Sequence, residues 1–234
     1  MFVFPTRLFN PQSLQVRLIG QAISGGASLS GEAQFADVSG GGRWVADFGE
    51  AALWKREKVL AWRRIAAAAD GGAQQILVPL ADRRHQPLTN PLSASDPFGL
   101  STWDDGLTPW APDQVTATVT VDAALGQTEV SFTYSAPLPL LGGEHFSILH
   151  PTWGWRLYRA TRVKSGGAGS GDATVCDIRP PLREALAAAD ATKLNFDSPR
   201  CLMRVDGDID CTVEMNRFGK ASARFIEAGK PDGA

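Results

Sequence analysis

Residues 51–70, AALWKREKVLAWRRIAAAAD, form a sustained helical repeat set among runs that alternate or turn. Val59, Trp62, Ile65, Ala66 and Ala69 share one stripe of a 3.6-residue period, while Lys55, Arg56, Lys58, Arg63 and Arg64 occupy the rest of the surface. Asp70-Gly71-Gly72 then places glycine where a left-handed helix cap is expected. The spacing predicts a single amphipathic helix over residues 51–70. Its basic face reads as solvated, because Glu50, Glu57 and the acidic balance of the whole chain work against nucleic-acid binding.

Upstream, Leu14, Val16 and Leu18 alternate with Gln15 and Arg17, which predicts a half-buried strand over residues 13–19. Ser24-Gly25-Gly26 reads as a turn into a second strand over 27–35. Gly40-Gly41-Gly42 reads as another turn, leading to a strand over 43–49 with Trp44, Ala46 and Phe48 on one face. Downstream, 75–80 is a short apolar strand that Pro79 places at an edge or a strand end. Strands are expected over 115–121, 129–134, 145–149, 155–163, 174–178, 201–205, 211–215 and 221–226, and a short helix over 182–189. Residues 165–171 read as a glycine-rich hairpin tip.

The exception is the stretch 83–113, where periodicity vanishes among five prolines and many Ser, Thr and Asp residues. Phe98, Trp103 and Trp110 lie inside it, and aromatics in such a loop should dock on the body or bury against a partner. Loops of this length in a compact domain are usually functional or mobile. With 234 residues and 44% hydrophobic content the chain can bury a real core. The expected class is mainly β: an antiparallel β-sandwich with one amphipathic α-helix and a second small β-domain or β-barrel insertion. Residues 1–135 and 195–228 would form the sandwich, with the helix and the 83–113 loop. Residues 136–194 would be the insertion and 229–234 a frayed tail.

Chemistry is sparse. A formal net charge of −2 carries no signature for nucleic acid or for an acidic membrane, and no segment approaches a membrane span. Met1-Phe2-Val3-Phe4-Pro5 lacks a basic n-region and an apolar core of signal-peptide length, so the product is expected to be cytosolic when made. Cys176, Cys201 and Cys211 are odd in number and lack CxxC spacing, which predicts reduced, mostly buried thiols. His85, His145 and His150 form no metal-binding pair, since His145 and His150 would face opposite sides of one strand. Asp206, Asp208 and Asp210 could begin a calcium loop, but its sixth and twelfth positions hold Cys211 and Arg217. No metal, cofactor or catalytic residue is expected, and an enzyme is not. Trp44 and Trp62 read as core residues. Trp153 and Trp155 flank Gly154 and, with Phe98, Trp103 and Trp110, are the candidate subunit or partner contacts.

Three stretches, in order, resemble a known family. Leu60-Ala-Trp-Arg-Arg64 leads through Gly-Gly to Ile76-Leu-Val-Pro-Leu80 and Asp82. Gly143-Glu-His-Phe-Ser-Ile148 precedes Arg156-Leu-Tyr-Arg-Ala-Thr-Arg-Val163. Ile178-Arg-Pro-Pro-Leu-Arg-Glu184 leads to Pro199-Arg-Cys-Leu-Met-Arg204. This order, covering roughly two-thirds of the chain, resembles the distal tail proteins of long-tailed bacteriophages and prophages. The resemblance implies a β-sandwich-based subunit of a homo-oligomeric ring, commonly a hexamer, joining the tail tube protein to tail-tip hub or baseplate proteins. It implies location at the virion tail tip after assembly in the host cytoplasm, with no catalytic residues to carry over. The 83–113 loop matches no family pattern. A carbohydrate- or receptor-binding tail-tip component is the alternative, with a glycan as its partner. A tail-associated hydrolase would need convergent carboxylates that the sequence does not show.

Overall fold

The computed structural model describes residues 2–9, 11–20, 22–27, 33–37, 40–80, 115–135, 139–166, 171–196, 198–207, 209–212 and 219–231. The fold is mainly β with one amphipathic helix, and the chain divides into two compact units. Unit 1 comprises Met1–Leu80, Leu149–Leu157 and Arg200–Ala234, and unit 2 comprises Ala81–Ile148 and Tyr158–Pro199.

Unit 1 is built on β1 (Phe2–Val3), β2 (Ser13–Ile19), β5 (Arg43–Leu53), β6 (Ile76–Pro79), β13 (Arg200–Val205), β14 (Asp210–Thr212) and β15 (Gly219–Glu227). Their order is β1-β6-β13-β15-β5-β2, with β14 also on β15. Only the two-residue β1 runs parallel to its neighbour. Pro79 closes β6, where its missing N–H breaks no further ladder. Trp44, Ala46 and Phe48 of β5 are buried with Ala221, Ala223 and Phe225 of β15, the alternation that puts one sheet face in the core.

The helix begins later than its sequence suggests. It spans α2 (Arg56–Ala69), after the four-residue α1 (Thr6–Phe9), and residues 51–53 belong to β5. Ala51 and Leu53 pair with Ala221 and Gly219, so the ladder overrides the helix propensity of Ala-Ala-Leu. A bulge makes this fit. Register slips by one between the Ala221 and Ala223 pairs, and Glu50 takes φ 53°, which returns Ala51 and Leu53 to the core face. The helix then buries Trp62, Ile65 and Ala69. Trp62 meets Phe9 edge-on at 4.9 Å, and Phe4 meets Phe225 at 4.9 Å. Such aromatic pairs add about 0.5–1.5 kcal/mol each beyond burial. The left-handed cap falls on Asp70 (φ 46°), whose N–H donates to the Ala67 carbonyl. Gly72 is fixed by space, since a Cβ there would lie 2.5 Å from the Val205 carbonyl oxygen.

Two further expectations in this unit change. Ser24-Gly25-Gly26 is not a turn but lies inside β3 (Ala22–Ala27), which pairs with β4 (Ala33–Asp37). Gly26 takes φ 86° within a register shift, so its freedom makes a bulge and the strand runs on. The tail is also tied down through Pro231. The Gly229 carbonyl accepts from the Arg156 guanidinium, and Gln75 Nε2 donates to the Lys230 carbonyl at 2.8 Å. Residues 232–234 lie outside the described residues.

Unit 2 uses β7 (Thr116–Val119), β8 (Glu129–Ser135), β9 (His145–His150), β10 (Gly154–Ser165), β11 (Asp172–Arg179) and β12 (Leu194–Asn195), ordered β12-β9-β10-β11-β8-β7. The last two residues of β9 and the first four of β10 belong to unit 1. The strands over 116–135, assigned from the sequence to the first body, belong here. The two ends of the sheet meet: Thr118 bridges Lys193, and the Val119 N–H donates to the Thr192 carbonyl at 2.9 Å, so the sheet nearly closes into a barrel. Phe196 fills its centre, 5.0 Å from Phe146 and 5.8 Å from Tyr134. The helix expected over 182–189 is absent. Leu182 and Leu186 are buried four residues apart, as on a helix, but their backbones bond to Gln127 and Ala123 instead. Only Ala188–Asp190 forms a single 3-10 turn.

Candidate functional site

Trp153 and Trp155 are the two candidate contact residues that the structure describes. Phe98, Trp103 and Trp110 lie outside the described residues, as does the rest of the 83–113 loop. Gly154 between the two tryptophans takes φ 67°, so the chain turns there instead of alternating through it. Both rings are half-buried and both hold cations. The Arg156 guanidinium lies 5.1 Å and the Lys230 ammonium 5.7 Å from the Trp153 ring centre, and Arg200 lies 4.8 Å from that of Trp155. Each ring therefore already has a cation at a face that a sugar ring could stack on.

Beneath Trp153 lies a polar knot that the sequence reading missed. Arg156 is fully buried, and its Nε donates to the Trp153 carbonyl at 3.0 Å. Its Nη1 donates to the Ala228 carbonyl at 2.6 Å and sits 3.5 Å from Glu227 Oε1, while Nη2 donates to the Gly229 carbonyl. Glu227 Oε2 accepts from the Trp44 backbone N–H at 3.1 Å, and Trp44 Nε1 donates to the Leu157 carbonyl at 2.6 Å. The signal was present. Ala221, Ala223 and Phe225 set a two-residue period that places Glu227 on the core face, where a carboxylate demands a partner. The knot clamps the C-terminal segment to the sheet. It contains no exposed nucleophile or base, so its chemistry is structural.

The chain matches no known family model and no curated protein.

The remaining candidates are each accounted for. Asp206 Oδ2 accepts from Arg224 Nε at 2.9 Å; the side chains of Asp208 and Asp210 lie outside the described residues. His145 Nε2 accepts from Arg159 Nε at 3.1 Å, and His150 is buried at the far end of the same strand. His85 lies outside the described residues. Among the described residues no three His, Cys, Asp or Glu side chains gather as a metal site, and no helix is long and apolar enough to cross a membrane. Cys176 and Cys201 are buried thiols outside any disulfide, and burial pushes the Cys176 thiol up to about 12. The Cys211 side chain is outside the described residues.

Among the described residues two open concavities stand out. One of about 550 Å³ lies over Gly49 between Ser13, Gln15, Asp47 and Arg224, on a sheet face laced by Arg17–Asp47 and Arg224–Asp206 pairs. The other, about 480 Å³, lies beside Asp122, whose Oδ1 accepts from the Ala188 N–H at 2.7 Å. In the first, Asp47 and Arg224 pair with charged neighbours, and in the second Asp122 bonds to backbone.

Proposed function

We propose that this chain is a structural, non-enzymatic virion protein of a phage tail tip, assembled in the host cytoplasm. Copies form a ring that joins the tail tube protein to the tail-tip hub or baseplate proteins, with no cofactor, nucleic acid or membrane as partner. The observation carrying this reading is where the three motif stretches fall. Leu60-Ala-Trp-Arg-Arg64 lies on α2 and Ile76–Pro79 is β6. The second and third stretches lie along β9, β10, the end of β11, and β13. Much of the resemblance thus falls on the helix and strands, while Ile178-Arg-Pro-Pro-Leu-Arg-Glu184 runs on past β11 into the following connection. Two β bodies whose described polar clusters are structural also suit a protein whose work is contact.

The carbohydrate- or receptor-binding alternative draws less support, because the Trp153 and Trp155 rings already hold cations. Quantitative mass spectrometry of purified tailed particles, counting this chain against the tube protein, tests the proposal. A few copies per particle, six above all, is the expected result. Absence from particles would end the tail-tip reading.

A further inference from the structure

Opposite its buried stripe, α2 exposes Arg56, Leu60, Arg63 and Arg64, with Leu60 48% exposed among the three arginines. At its start, Lys55 and Lys58 lie 4.7 and 6.0 Å from the ring of Trp54, which is 56% exposed. None of these five cations forms an ion pair among the described residues. The sheet of the same unit behaves otherwise, pairing Arg17 with Asp47, Lys220 with Glu50 and Arg224 with Asp206. Glu57 is the only acid on the helix. A row of cations interleaved with exposed apolar side chains fits an acidic, apolar partner better than it fits water alone.

The chain's own sequence contains such a partner. Residues 86–113, outside the described residues, carry Asp96, Asp104, Asp105 and Asp113 and no lysine or arginine. They also carry Phe98, Trp103 and Trp110. Trp103-Asp104-Asp105 sets an indole beside two carboxylates, the groups that guanidinium ions stack on and bind in bidentate fashion. A ring closes through heterologous contacts, in which two different patches of one chain must complement each other. An isologous contact between two basic helices would repel.

We infer that the basic outer face of α2 receives the acidic, aromatic segment 86–113 of a neighbouring copy of this chain. This rests on the ring reading and names the two patches that meet. The helix face supplies charge and Leu60, and the incoming segment supplies carboxylates and aromatic rings.

A charge-exchange experiment on the full chain tests it, read by native mass spectrometry and light scattering, with circular dichroism confirming the fold. One variant carries Arg56→Glu and Arg63→Glu, a second carries Asp104→Lys and Asp105→Lys, and a third combines all four. Each of the first two alone should need at least about tenfold more protein to assemble than the native chain. Their equimolar mixture should assemble again, because alternating copies in an even ring match acid to base at every contact. Native-like assembly of either variant alone would overturn the inference while leaving the ring reading intact. Recovery in the combined variant but not in the mixture would also overturn it, placing the segment on its own helix. A native chain that stays monomeric at every concentration would overturn the ring reading and this inference together.

Discussion

Unit 1 covers its sheet with a helix, whereas unit 2 covers its sheet by bending it until β7 meets β12. The same alternating strand pattern underlies both, so alternation alone does not decide how a sheet hides its apolar face. What decides is the material between strands. Unit 1 has a connection long enough to hold α2, and Trp62 and Ile65 reach the sheet from it. In unit 2 the connection from β11 to β12 forms no long helix, and Phe196 packs with Phe132, Tyr134 and Phe146 inside the sheet. The consequence is a difference in edges. Among the described residues β2 ends the first sheet with Leu14, Val16 and Leu18 only half-buried, while the second sheet joins its ends. Open edges admit further strands and closed ones do not.

If unit 2 depends on one central filler, Phe196→Ala should show the largest effect. Phe196 packs against Phe132, Tyr134 and Phe146, and its loss would leave a cavity among them. Denaturant unfolding should report a loss of about 4–5 kcal/mol, with amide exchange rising first in β7 to β12. A loss below about 1 kcal/mol would mean that the sheet closes around an adaptable core, and the contrast with unit 1 would fail.

Unit 1 should instead be most sensitive at its polar knot. Glu227→Ala leaves the Arg156 guanidinium buried with carbonyls alone, and unfolding should report a loss of about 3 kcal/mol. Pairing that change with Arg156→Met should restore much of it, because the unmatched charge then disappears. If the double variant is no more stable than the single, the knot's carbonyl bonds matter more than its ion pair.

Both units were partly legible before their structure was known, and the errors have one origin. β2 spans Ser13–Ile19 as its alternation predicts, since nothing nonlocal competes there. Trp44 and Trp62 are buried as their periods predict. Residues 51–53, 24–26 and 182–186 each carried a valid local signal for helix, turn and helix. Residues 51–53 and 182–186 were overruled by backbone partners distant in sequence, at Ala221 and Ala123, and residues 24–26 by the neighbouring strand β4, where Ser24 pairs with Phe35. In the site, Trp153 and Trp155 were visible by type, and Arg156 lies close in sequence to Trp153, but the other cations on these rings come from Lys230 and Arg200, which no local pattern joins to them. Glu227 was legible one residue past the end assigned to its strand.

The smallest expected effect is invisible at neutral pH and separates the two units by chemistry. Cys176 faces the core of unit 2, and burial, aided by the nearby charges of Glu144 and Asp177, pushes its thiol up from 9.0 to about 12. The folded chain therefore keeps that proton where the unfolded chain releases it. Below about pH 9 both states hold the proton and this site contributes its full stability. As pH rises from about 9 toward 12 the unfolded state ionises first, binds fewer protons than the native state, and stability falls. Comparing the native chain with Cys176→Ala at each pH cancels the titration of every other group. The stability gap between them should stay constant from pH 6 to 8 and shrink steadily above 9, while a thiol reagent at pH 8 leaves Cys176 unmodified in the folded chain. A gap that stays flat to pH 11, or rapid modification at pH 8, would mean that water reaches the thiol and that the second sheet is less closed than its bridging residues imply.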